Sequence, residues 1–86
     1  MARRINAGNR LRASREALGM SLRDVHRASA SIAKELRNRN FIVPWSRLHF
    51  YETRASTPSV YRLYTLARLY RRKLNELLSW YGIPAR

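Results

Sequence analysis

The sequence predicts an all-helical domain of five short helices. Three observations predict it. Apolar residues recur at three- and four-residue spacing in segment after segment, while no segment alternates with period two, so no sheet is expected. Helix breakers and caps punctuate those segments at Gly19, Ser21, Pro44, Thr57-Pro58 and Gly82. The chain is 86 residues long with an apolar fraction of 45%, which suits one domain with a small core and is too apolar for a disordered basic tail.

The elements follow in order. Residues 1–8 read as a flexible basic arm ending at Gly8, and residues 9–86 as the folded domain. The first helix is expected over about Asn9–Leu18, with Leu11 and Leu18 as its apolar positions, Arg15 between them on the same face and Gly19 as C-cap. Ser21 and Asp24 have the spacing of a capping box that launches the second helix. Leu22, Val25, Ser29, Ile32, Ala33 and Leu36 carry that helix to about Arg37. Asn38-Arg39-Asn40 is a polar break, and Phe41-Ile42-Val43 an apolar connector expected to bury itself against the second and third helices.

The third helix spans about Pro44–Arg54. At 100° per residue Leu48 and Tyr51 share one side, with Glu52 at its edge. Ser46, Phe50 and Thr53 lie opposite with His49 beside them, and Trp45 and Arg47 sit on the flanks. Thr57 as N-cap and Pro58 in the first turn are expected to start the fourth helix, with Val60, Leu63, Leu66, Ala67 and Tyr70 as its inner stripe. Arg71-Arg72-Lys73 is a basic turn before a fifth helix marked by Leu74, Leu77 and Leu78 and closed by Gly82.

Charge narrows the function. Eighteen lysines and arginines against five carboxylates give a net charge of +13, and Lys34 and Lys73 are the only lysines. Guanidinium forks pair bidentately with phosphates and guanine edges, so a polyanionic partner comes first. The chain has no cysteine, which removes disulfides and thiolate–zinc sites. The five carboxylates are scattered, and His26 and His49 lack ligand neighbours, so neither acid–base catalysis nor a metal site is expected. No phosphate-cradling glycine loop is present. No cofactor and no small-molecule substrate are expected. Apolar runs are too short for a membrane span and no signal peptide leads the chain, so a cytoplasmic protein, nucleoid-associated if bacterial, is the default.

An outward aromatic such as Phe50 exposes apolar surface that something should cover. A DNA major groove would cover it, and Arg47 could fork onto guanine while Phe50 meets a thymine methyl. For Trp45 and Phe50 the alternative is packing on Phe41 or Ile42. Arg15, on an apolar face, either pairs with a carboxylate or reaches solvent along its stem.

Several stretches together resemble the helix-turn-helix domain of the Cro/repressor (XRE-type) family. Leu11-Arg12, Arg15-Glu16 and Leu18-Gly19-Met20-Ser21-Leu22 are similar to its first helix and the turn into the second. Ser46-Arg47-Leu48 with Tyr51-Glu52 is similar to its third, recognition helix. Thr57-Pro58-Ser59-Val60-Tyr61 with Leu66-Ala67 is similar to the fourth, and Leu74-Asn75-Glu76-Leu77-Leu78 to the fifth. The resemblance covers most of residues 9–82 and implies a five-helix, lambda-repressor-like fold that binds double-stranded DNA as a transcriptional regulator. It implies base contacts from Trp45, Ser46, Arg47, His49 and Phe50. It implies phosphate contacts from Arg15, Ser21, Arg23, Thr53, Arg54, Ser56 and Thr57, with Arg3 and Arg4 of the arm reaching a minor groove. It also implies a structural ion pair between Arg15 and Glu52.

The chain departs from the family in three ways. Residues 30–43 lengthen the link between the second and third helices. Thr53-Arg54-Ala55 replaces the usual glycine after the recognition-helix glutamate. The fifth helix has no evident N-cap. A surface so poor in carboxylates would also suit a redesigned member. Two other functional classes stay open: an RNA-binding helical protein, and a protein-interaction module that docks a partner through a C-terminal patch of Trp80, Tyr81 and Ile83, a patch that could instead make a homodimer or simply cap the core.

Overall fold

A computed structural model describes residues 6–54 and 56–84. It contains five α-helices, α1 (Ala7–Ala17), α2 (Leu22–Leu36), α3 (Trp45–Thr53), α4 (Val60–Leu69) and α5 (Leu74–Trp80), and no strand among the described residues. A single 3₁₀ turn, Arg39–Phe41, interrupts the link from α2 to α3. Among the described residues no helix is long and apolar enough to cross a membrane. Arg3 and Arg4 lie outside the described residues, and so does Ala55.

Helix α1 begins two residues earlier than expected. Asn6 is the N-cap and its side chain accepts from the Asn9 amide at 3.0 Å. Gly8 is therefore not the end of an arm but a buried helical residue. A Cβ there would fall 2.9 Å from the Tyr51 carbonyl oxygen and closer still to that of Glu52. The first turn of α1 thus lies directly on the last turn of α3, an approach only glycine allows.

Helix α2 starts with the expected reciprocal capping box. The Ser21 hydroxyl accepts from the Asp24 amide, and the Asp24 carboxylate accepts from the Ser21 amide at 2.8 Å. That amide holds the Asp24 carboxyl below the usual carboxylate range. Helix α4 starts later than Thr57 and Pro58 suggest. Ser59 is its N-cap, accepting from the Arg62 amide at 3.2 Å, while Pro58 is buried just ahead of the helix. Helix α5 has Lys73 at its N-cap with no side-chain hydrogen bond.

Four helices end alike. After α1, α2, α4 and α5 the chain turns through a left-handed residue, and the next amide reaches back to a carbonyl five residues earlier. Glycine fills that position at Gly19 and Gly82, whereas Arg37 (φ 55°) and Arg71 (φ 59°) fill it after α2 and α4. A side chain there costs about 1–2 kcal/mol. Helix α3 differs: Arg54 leaves it extended, with φ −128°. Arg54 therefore needs no glycine.

The core joins all five helices. Leu11, Val25, Val43, Leu48, Leu63, Leu66, Tyr70, Leu77 and Trp80 form one buried cluster. Three residues expected on inner faces are exposed instead. Leu18 lies at the C-cap of α1, Leu36 at the end of α2, and Val60 in the first turn of α4, where it is 62% exposed. Each sits at a helix terminus, where the periodic stripe outruns the neighbour that would cover it.

The long α2–α3 link is held in place by named polar groups. The fully buried Ser29 hydroxyl accepts from the Val43 amide at 2.8 Å and donates to the His26 carbonyl. The Phe41 carbonyl accepts from the Thr65 hydroxyl, and the Ile42 carbonyl from Arg62 Nε. Arg62 also donates to the Tyr51 hydroxyl at 2.9 Å. Phe41 packs edge-on against Tyr61 and Tyr64 of α4, with centroids at 5.2 and 5.5 Å. The connector thus docks on α2 and α4, where α2 and α3 were expected.

The buried Tyr70 and Tyr81 hydroxyls have no hydrogen-bond partner among the described residues. Burial raises both phenols, Tyr81 to about 12 from an ordinary 10.0 and Tyr70 further.

Two predictions follow from this packing. Gly8→Ala normally gains about 1 kcal/mol inside a helix, but here it drives α1 off α3 and is expected to cost roughly 1–3 kcal/mol in urea denaturation. The two phenols keep their protons in the folded state above pH 10, while the unfolded chain releases them. Folding stability should therefore fall as pH rises from 10.0 towards about 12. Tyr70→Phe combined with Tyr81→Phe should flatten that decline. Tyr70→Phe alone should leave stability at neutral pH unchanged or raise it, because a stranded buried hydroxyl costs about 1–3 kcal/mol.

Candidate functional site

The surface that fits the residue pattern best is the outward side of α3. Its inner side is fixed by three buried residues, Leu48, Tyr51 and Glu52. Leu48 is in the core without exposure, and Tyr51 is tied to α4 through Arg62.

Glu52 is held from α1. Arg15 Nε and Nη2 donate to its two carboxylate oxygens at 2.8 and 2.9 Å, and Arg15 Nη1 donates to the Met20 carbonyl at 2.8 Å. The side chains are 11% and 3% exposed. Hydrogen bonding to Glu52 raises the Arg15 guanidinium above its ordinary value, against the effect of burial. A buried carboxylate met by a bidentate fork is satisfied at both oxygens, and the fork fixes the angle between α1 and α3. Arg15 was also a candidate phosphate contact. Three of its five N–H donors are engaged inside, and the side chain keeps 11% exposure.

The opposite side of α3 is open. Ser46, Arg47 and His49 are exposed, and Trp45 is 39% exposed. Phe50 is half-buried, and the Arg54 guanidinium lies over its ring at 5.1 Å. The His49 ring stands 5.8 Å from that of Phe50. Neither Trp45 nor Phe50 belongs to the core cluster. Thr53 is exposed, and its hydroxyl donates to the His49 carbonyl at 2.8 Å, so its proton is engaged within the helix.

Two contacts at the start of α3 escaped the sequence reading. Arg23 of α2 stacks its guanidinium over Trp45 at 4.6 Å. His26 Nδ1 accepts from the Trp45 amide at a long 3.4 Å, which partners one of the free amides that open α3. The stack is legible only once α2 and α3 are known to meet, since 22 positions separate the two residues.

The flanking phosphate candidates divide. Arg23, Arg54 and Thr57 are exposed, and Ser56 is half-buried. Ser21 is exposed, but the Asp24 carboxylate already occupies its amide and the start of α2, with Arg27 paired to Asp24 in turn. At the start of α2 the Ser21 amide is thus already partnered, while the Arg23 side chain is exposed.

The C-terminal patch does not survive as an exposed surface. Trp80 is 5% exposed, its ring in the core and covered outside by Arg72 at 5.6 Å. Tyr81 is half-buried, which leaves Ile83 as the exposed member. Among the described residues no group of three or more histidines and carboxylates could hold a metal ion.

Comparisons with protein-family models, curated proteins and solved structures find no match to this chain.

Removing the carboxylate that holds α3 should reveal how much depends on it. Glu52→Ala leaves Arg15 buried with a stranded charge, a change worth roughly 3–5 kcal/mol. Guanidinium-induced unfolding of the single and double variants would show whether Arg15→Met restores part of the loss, as expected when the cost comes from the stranded charge.

Proposed function

We propose that this chain binds double-stranded DNA sequence-specifically, as a transcriptional regulator of the Cro/repressor helix-turn-helix type, by laying α3 in the major groove. One observation carries the reading. A helix locked through its inner edge by a buried bidentate ion pair presents Ser46, Arg47, His49 and Phe50 outward, on a chain of charge +13. Rigid placement is what base reading requires, because donors must meet base edges within hydrogen-bonding distance. In this reading Arg47 forks onto a guanine and Phe50 packs on a thymine methyl. Trp45, braced by Arg23, stands at the groove wall. Arg23, Arg54, Ser56 and Thr57 meet the flanking phosphates, which position the protein without reading sequence. Thr53 holds its helix rather than a phosphate.

The competing reading is an RNA binder, and a competition experiment separates the two. A-form RNA closes its major groove to a helix, so duplex DNA should displace structured RNA from this protein at equal concentration. Selection from a random duplex library tests the proposal directly. Enrichment of a defined motif supports it, and recovery of unrelated sequences counts against it.

Site variants sharpen the test. Arg47→Ala and Phe50→Ala should weaken the selected site by roughly 1–3 kcal/mol per lost base contact while leaving random duplex nearly unchanged. Arg54→Ala should weaken both duplexes alike and make the salt dependence shallower by about one contact. All three are measured by fluorescence anisotropy on both duplexes at matched salt. Equal losses on both duplexes for Arg47→Ala and Phe50→Ala would remove α3 as the reader.

A further inference from the structure

The ends of α2 and α4 carry a concentration of charge that the α3 surface does not use. Arg68 of α4 donates to Glu35 of α2 at 2.9 Å, so the C-terminal ends of the two helices lie side by side. Arg72 pairs with Glu76. Both carboxylates at this end are thus taken. Lys34, Arg37, Arg39, Arg71 and Lys73 are all exposed and form no ion pair among the described residues. Between Lys34, Arg37 and Arg39 lies a shallow basin of about 380 Å³ floored by Ala30, Ala33 and Ile42.

Backbone geometry makes the arrangement more than a basic surface. Arg37 and Arg71 occupy the left-handed positions that close α2 and α4, where Gly19 and Gly82 serve α1 and α5. Cations do favour the carbonyl end of a helix, but Lys34 and Arg68 already supply them in the last turns. A second cation at the one position where a side chain is disfavoured adds little to the helix that glycine would not improve. Both departures fall at the same end of the molecule and both are arginine, the side chain best suited to a phosphate fork.

We propose that the C-terminal ends of α2 and α4 form a second phosphate-binding surface, with Arg37 and Arg71 at its centre, that takes the backbone of duplex DNA apart from the stretch facing α3. The proposal rests on this chain being a nucleic-acid binder but not on α3 being the part that reads sequence. Ser29 anchors the start of α3 through Val43, and Arg37 lies eight positions further on, about 12 Å along α2. That is well inside the ~34 Å helical turn of one duplex.

The test exploits the backbone. Arg37→Gly combined with Arg71→Gly removes two cations while giving each turn the residue it favours. The melting temperature is expected to hold or rise, while affinity for random duplex falls and the slope of log K against log salt becomes shallower by about two units. A folded double variant with unchanged salt slope would overturn the proposal. The effect should persist in a background carrying Arg47→Ala and Phe50→Ala, so a failure of α3 as the reader is seen separately. If the wild-type chain binds no duplex, 15N-resolved titration with inorganic tripolyphosphate decides. Shifts concentrated at residues 34–39 and 71–73 support a phosphate surface there, and their absence overturns it.

Discussion

The pair formed by Arg15 and Glu52 is the constraint on which the rest of the arrangement depends. Its members stand 37 positions apart in sequence and join the last turn of α1 to the last turn of α3. Its geometry is over-determined: two parallel hydrogen bonds fix the carboxylate plane, and a third ties Arg15 to the Met20 carbonyl, in the turn between α1 and α2. One guanidinium thereby references α3 to both preceding helices. A buried ion pair is weak evidence for stability, because desolvation offsets most of its attraction. Its consequence here is orientation, since leaving either charge alone is far more costly than keeping both together.

Around that pair the molecule closes with equally specific contacts. Gly8 lets the first turn of α1 rest on the carbonyls at the end of α3. The α2–α3 link, longer than a tight turn, is tied down at consecutive carbonyls by Thr65 and Arg62 and at Val43 by Ser29. Each of these groups satisfies backbone that would otherwise be buried without a partner. The link is therefore an ordered part of the fold that brings α4 into the positioning of α3. Charge is distributed around this frame with no side-chain carboxylate left over. All five engage an arginine, and the remaining described lysines and arginines form no ion pair.

Much of this was legible in the sequence, and the exceptions have physical causes. Helix count and order followed from apolar spacing, and the capping box at Ser21-Asp24 and the turn at Gly19 followed from local chemistry that involves only near neighbours. The inward placement of Arg15 and Glu52 could be read from helical phase. Gly8 could not: as a sequence signal it reads as the end of an arm, and only the approach of α3 explains it. Thr57 with Pro58 carries the sequence signal for the start of α4, yet Ser59 caps it, because its hydroxyl reaches the Arg62 amide. The sequence leaves Trp80 open between an exposed patch and a cap on the core, and the structure places it in the core. The partners of Phe41, Ile42 and Trp45 depend on which helices meet across the link, which periodicity does not encode. Of the α3 candidates, Ser46, Arg47 and His49 stand outward as helical phase requires, while the half-burial of Phe50 under Arg54 is a local contact that phase alone misses.

In the proposed complex α3, held by Arg15 and Glu52, presents the surface that meets DNA. Titration of 15N-labelled protein with its selected duplex, followed through backbone amides and arginine Nε–H signals, tests it most directly. The largest changes should fall on residues 45–50 and on Arg23 and Arg54, while the Arg15 Nε–H signal stays in place because its partner is internal. Changes confined to other surfaces, with residues 45–50 unaltered, would contradict the claim.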